Sequence, residues 1–122
     1  MNTHKAMNWT ILVFGIWQVI AAFILGYVDV GAAMWNAVIA GSVLVILGFW
    51  AARTEAPGTA RGLSFTNVAL GVWLVASPFL LGYNAITAAL VNDLVVGSVV
   101  IVAAGVALLA LGNSQDSSRN PA

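Results

Sequence analysis

Gly71-Val72-Trp73-Leu74-Val75-Ala76-Ser77-Pro78-Phe79-Leu80-Leu81-Gly82-Tyr83 decides the fold, because it repeats an earlier stretch. Gly15-Ile16-Trp17 and Phe23-Ile24-Leu25-Gly26-Tyr27 precede their counterparts by 71 − 15 = 56 residues. The same offset carries Ala32-Ala33 onto Ala88-Ala89, Asn36 onto Asn92 and Gly41-Ser42-Val43 onto Gly97-Ser98-Val99, with no gap. Each copy is nearly all apolar. A duplicated membrane hairpin accounts for this pattern, and chance does not.

Of the 122 residues, 61% are hydrophobic and 7% charged, whereas about a quarter of a soluble chain is charged. Lipid is therefore the solvent for most of the chain. Four basic and four acidic residues cancel, which leaves no basic surface for nucleic acid. Cysteine is absent, which removes disulfides, thiolate metal sites and thiol catalysis. The single histidine, His4, precedes the first apolar run, so the chain cannot ligate a haem through two imidazoles at membrane depth. The expectation is a protein with no catalytic, cofactor-binding or metal-ligating residues, and with the bilayer as its first partner.

A membrane helix needs about 20 mostly apolar residues to cross about 30 Å of hydrocarbon. Residues 9–27, 34–52, 65–83 and 92–111 meet that length. The reading is all-α: four transmembrane helices forming two tandem hairpins, residues 9–52 and 65–111. Around them lie an N-terminal segment 1–8, a flexible Gly- and Thr-rich linker 53–64 containing Pro57, and a flexible polar tail 112–122. Each repeat holds two spans, so both copies have the same topology, related by a pseudo-two-fold axis along the membrane normal. Many secondary transporters instead use inverted repeats.

Lys5, Arg53, Arg61 and Arg119 all fall outside the two hairpin turns. The positive-inside rule then places both termini and the linker in the cytoplasm. Trp9, Trp50 and Phe65 would mark the inner interface, and Tyr27, Trp35 and Tyr83 the outer one. Lys5 and the first apolar run could also be taken for a signal peptide cleaved near Gly31-Ala32-Ala33. Against that, the run is longer than a signal core and its copy is internal.

The candidate residues each carry two readings. Pro78 inside span three removes a backbone donor and crowds the Leu74 carbonyl, so a kink is expected there, with Ser77 bonding back to a freed carbonyl. Ser77-Pro78 is either a hinge or notch, or a static bend. Trp17 and Trp73 lie too deep for an interfacial belt. They either touch a pigment, quinone or lipid, or pack in the core with the indole bonded to a carbonyl or to Ser42 or Ser98. Gln18 stands where repeat two has Leu74 and should make one interhelical hydrogen bond. Gly41, Gly48 and Gly97 form small-residue seams that would bring spans two and four together or dock another protein. Asn36 and Asn92 would cap spans two and four. Asp29 reads as a loop residue and Asp93 as a helix-start charge at the outer edge, which leaves no ionisable group deep in the membrane.

The run from Trp73 to Tyr83, followed by Asn92-Asp93 and Gly97, resembles the SPW-repeat family of small bacterial membrane proteins. The resemblance covers both hairpins. Phe79 stands at the motif's Trp position, and repeat one reads Ala21-Ala22-Phe23, while Trp35-Asn36 keeps the Trp-Asn pair. The resemblance implies two copies of a two-span unit in a bacterial inner membrane and no established activity. The functional expectation is a non-catalytic accessory or scaffolding subunit that packs on other membrane subunits or on itself, with a small oligomeric channel or transporter as the alternative.

Overall fold

The computed structural model describes residues 3–26, 29 and 31–119, with side chains through residue 112. Its helices are α1 (Thr3–Ile24), α2 (Gly31–Arg53), α3 (Pro57–Leu80) and α4 (Thr87–Arg119). All four are long and apolar enough to cross a membrane. α1 packs along α2 and α3 along α4 as two hairpins, and the hairpins join through α1 on α4 and α2 on α3.

All four helices begin earlier than hydropathy suggests; α2 and α4 also end later, whereas α1 and α3 stop three residues short. Pro57 starts α3 at its first position, where a missing N–H costs nothing and a fixed φ is pre-organised. Ala56 before it is held extended, with φ −83° and ψ 114°. Most of the expected flexible linker 53–64 is therefore helix. α4 likewise runs through the expected flexible tail to Arg119, since the next proline is Pro121. Residues 120–122 and Tyr27 lie outside the described residues.

Both hairpin turns use the same stop signal. Gly26 and Gly82, 82 − 26 = 56 residues apart, each have φ +81°, a conformation open to glycine at little cost. After α3 the Tyr83 N–H donates to the Pro78 carbonyl at 2.9 Å, the six-to-one bond of a Schellman cap. Pro78 thus sits in the last turn of an unbroken α3.

Side-chain size, more than polarity, sorts inside from outside. The core holds Ile11, Leu44, Leu74, Val96 and Val100 among Ala40, Ala103 and Ala104, while Val13, Ile16, Phe23, Ile39, Ile46 and Phe79 face outward. Without water there is no hydrophobic drive between helices, and small residues win the interface by allowing close approach. A Cβ built on Gly41 would lie 2.8 Å from the Gly15 carbonyl oxygen, and one on Gly97 2.7 Å from that of Gly71. Gly48 similarly faces the Asn8 carbonyl on α1. The glycine seams therefore close each hairpin internally, not the expected contact between spans two and four.

Candidate functional site

Seven polar side chains from all four helices and one turn form a single hydrogen-bonded chain. Trp17 Nε1–H donates to Asn92 Oδ1 at 2.7 Å, and Trp73 Nε1–H donates to Asn36 Oδ1 at 2.8 Å. These two bonds exchange under the 56-residue offset: the tryptophan of each repeat holds the asparagine of the other. Asn92 Nδ2 then donates to Gln18 Oε1 at 2.8 Å, and Gln18 Nε2 to Asp93 Oδ1 at 2.8 Å. From the other side Asn36 Nδ2 donates to the Tyr83 hydroxyl at 3.0 Å, which donates to Asp93 Oδ2 at 2.5 Å.

The direction of every bond is dictated by its ends. An indole N–H can only donate, so each asparagine must turn its oxygen to the tryptophan and its amide hydrogens inward. The polarity passes along both arms and ends at Asp93, which accepts at both oxygens. Asp93 is 2% exposed, and no described basic side chain makes a salt bridge with it.

This position corrects several expectations. Asn36 and Asn92 are not caps. They stand 36 − 31 = 5 and 92 − 87 = 5 residues inside α2 and α4, about 8 Å along the axis at 1.5 Å per residue. Asp93 is an interior carboxylate, not a helix-start charge, because α4 begins at Thr87. Tyr83 is buried among Ala22, Ala33, Ala37 and Ala89 instead of lying at the interface. Trp17 and Trp73 bond to asparagines, while Ser42 and Ser98 face outward. Gln18 makes two hydrogen bonds, not one.

Ser77 and Pro78 are buried and act on the network through the chain. The Ser77 hydroxyl donates to the Trp73 carbonyl at 2.5 Å, one residue before the Leu74 carbonyl that Pro78 deprives of its donor. Pro78 supplies the carbonyl that caps α3, and Gly82 turns the chain so that Tyr83 enters the bundle. A comparison with protein families matches residues 5–107 to the SPW repeat domain. The chain belongs to the SPW repeat family. In this SPW repeat protein the Ser-Pro of repeat two seats the phenol that bonds Asp93. No match was found among curated proteins or among solved structures.

A second polar layer lies toward the chain termini. Asn8 Nδ2 donates to the His4 carbonyl at 2.9 Å, leaving Asn8 Oδ1 without a partner, as are Ser64 Oγ and both amide atoms of Asn67. Asn67 is fully buried, at the position where repeat one has Ile11 (11 + 56 = 67). At the same end Lys5 Nζ lies 2.8 Å from Glu55 Oε1, and this bonded ammonium holds the exposed Glu55 carboxyl below its ordinary value. Among the described residues no group of His, Cys, Asp and Glu could hold a metal ion.

The sequence did carry a signal for the network. Gln18 and Asp93 each replace an apolar residue of the other copy, Leu74 and Ala37 (18 + 56 = 74; 37 + 56 = 93). These two polar departures from the repeat, one in each copy, answer each other.

Proposed function

We propose that this SPW repeat protein is a non-catalytic structural subunit of a bacterial cytoplasmic membrane, which presents a rigid apolar surface to other membrane proteins. One observation carries the reading: among the described residues the polar side chains at membrane depth are mostly turned inward, whereas large apolar residues such as Ile39, Ile46 and Phe79 point outward. Acid–base or nucleophilic chemistry needs polar groups that reach a substrate, and here those of the Asp93 network bond to one another. The basic residues support an orientation with both termini cytoplasmic, which puts the Asp93 network toward the outer leaflet.

Mild detergent extraction from native membranes, followed by affinity capture of the chain, tests this. Recovery with a larger membrane complex in fixed ratio is the expected result; recovery only as a homo-oligomer would overturn it. The buried carboxylate of Asp93 favours a second reading, a small oligomeric channel or transporter, since intramembrane acids commonly serve ion or proton pathways. That reading requires solute or ion flux through the purified protein in liposomes.

A further inference from the structure

While Asp93 accepts at both oxygens, every donor of the two arms has its acceptor; a proton on Oδ2 would take the Tyr83 hydroxyl as acceptor and turn that hydroxyl's own hydrogen toward the surrounding alanines. A proton on Oδ1 would make that oxygen a donor facing Gln18 Nε2, itself a donor. The amide of Gln18 must then rotate to offer Oε1, which turns Nε2 toward Asn92 Nδ2. Asn92 in turn must rotate, which sets Nδ2 against Trp17 Nε1–H and removes the indole's acceptor. Since Trp17 has no second polarity to offer, the conflict cannot be passed further.

A groove of about 350 Å³ between α1 and α4 runs from Leu25 and Thr87 through Val91 to Trp17 and Asn92. It brings the bundle exterior to the outer end of this arm, whereas Tyr83 on the other arm is packed among alanines. We propose that Asp93 is a proton-binding site, that the proton settles on Oδ1, and that its uptake reverses the Gln18–Asn92 arm and releases the Trp17 indole from Asn92 at the edge of this groove. The step is a proton transfer from hydronium to the carboxylate oxygen, leaving water, with no change in oxidation state.

Among the described residues, few other titratable groups bear on the site. α1 faces Asp93 with neutral Gln18, and the turn before α4 contributes Tyr83. α2 reaches it through neutral Asn36, bonded to Tyr83. Asp29 is exposed on the turn between α1 and α2, while His4, Lys5, Arg53, Glu55 and Arg61 belong to the opposite end of the bundle.

The test uses the full chain in lipid nanodiscs with ¹⁵N-labelled tryptophan and ¹³C-carboxyl aspartate. The Trp17 and Trp73 indole signals are assigned with Trp17→Phe and Trp73→Phe. As pH falls, the protonated-carboxyl infrared band of Asp93 should appear with the same midpoint as a shift of the Trp17 indole and faster exchange of its N–H. Trp73 stays in place. In Asp93→Asn the Trp17 signal should not move with pH. Should that variant fail to fold, Asp29→Asn and Asp116→Asn assign the band by elimination, and the wild-type midpoints decide. A carboxyl band that titrates while Trp17 stays fixed overturns the proposal, as does an Asp93 that takes up no proton across the folded range.

Discussion

Gly41→Ala is expected to loosen the first hairpin by an amount that follows from the geometry. The new methyl carbon would lie 2.8 Å from the Gly15 carbonyl oxygen, 2.8 Å from Val19 Cγ2 and 2.9 Å from the Val19 nitrogen. Ordinary contact starts at 3.4 Å, so α1 must retreat by 3.4 − 2.8 = 0.6 Å. Val19 can turn its methyl away, but the carbonyl and the amide are helix backbone and cannot yield alone. Overpacking costs about 1–3 kcal/mol, and rigid backbone puts this case near the upper end. Alanine returns about 1 kcal/mol of helix propensity, which leaves a net loss of about 2 kcal/mol. Gly105→Ala is the control: no atom lies within 4 Å of its Cβ, so only the gain of about 1 kcal/mol remains. The two variants should differ by about 3 kcal/mol, about 150-fold in the unfolding equilibrium. Titration with SDS in mixed micelles, followed by circular dichroism, measures this. If both variants fall within about 0.5 kcal/mol of wild type, the ordinary range for an inconsequential substitution, the close approach of α1 and α2 does not hold the hairpin together.

Four further outcomes are expected. Trp17→Phe should cost about 0.6–1.7 kcal/mol, the range of interhelical hydrogen bonds in membranes, and more than Trp73→Phe, because Trp73 is 39% exposed; the same SDS titration compares them. Asn67→Ile should stabilise by about 1–3 kcal/mol, by replacing a fully buried, unpartnered amide with the residue of repeat one, and a loss of stability would show that the amide has a native partner. Gly82→Ala should cost about 1–2 kcal/mol through its positive φ alone, since nothing lies within 4 Å of its Cβ, and should shift the ring resonances of isotope-labelled Tyr83, assigned with Tyr83→Phe. The Lys5 bond lowers the Glu55 carboxyl in the folded state, so its contribution is complete above the unfolded value and fades as pH falls through the folded one. In Glu55→Gln this acid-side component should vanish from the stability-versus-pH curve.

Much of the architecture was legible because membrane insertion is a one-dimensional constraint. A span needs a length of apolar residues, and an ungapped 56-residue repetition states that the second pair of spans copies the first. Helix ends were less legible: Pro57 and the polar residues after Gly112 look like loop to a hydropathy reading, yet Pro at a first helical position and a run without breakers both extend helices. The site was legible only in fragments. Trp17, Trp73, Asn36 and Asn92 stood out as polar or aromatic residues kept in both copies, but their pairing across the repeats was hidden, because neither residue has a partner near it in sequence. Asp93 was misplaced for the same reason its helix was shortened, since a start at Asn92 turned an interior acid into a terminal one.

The sequence by itself therefore determined the number of spans, their pairing into two same-way hairpins, and the family. Only the tertiary structure decided which faces turn inward, that the glycines close each hairpin, and that two polar arms from opposite repeats meet on Asp93. The physical reason is that insertion depends on the summed apolarity of each segment, which composition records. Packing in lipid depends instead on shape and on where each hydrogen-bond donor finds its acceptor, and those are set by residues 74, 75 or 47 positions apart in the chain.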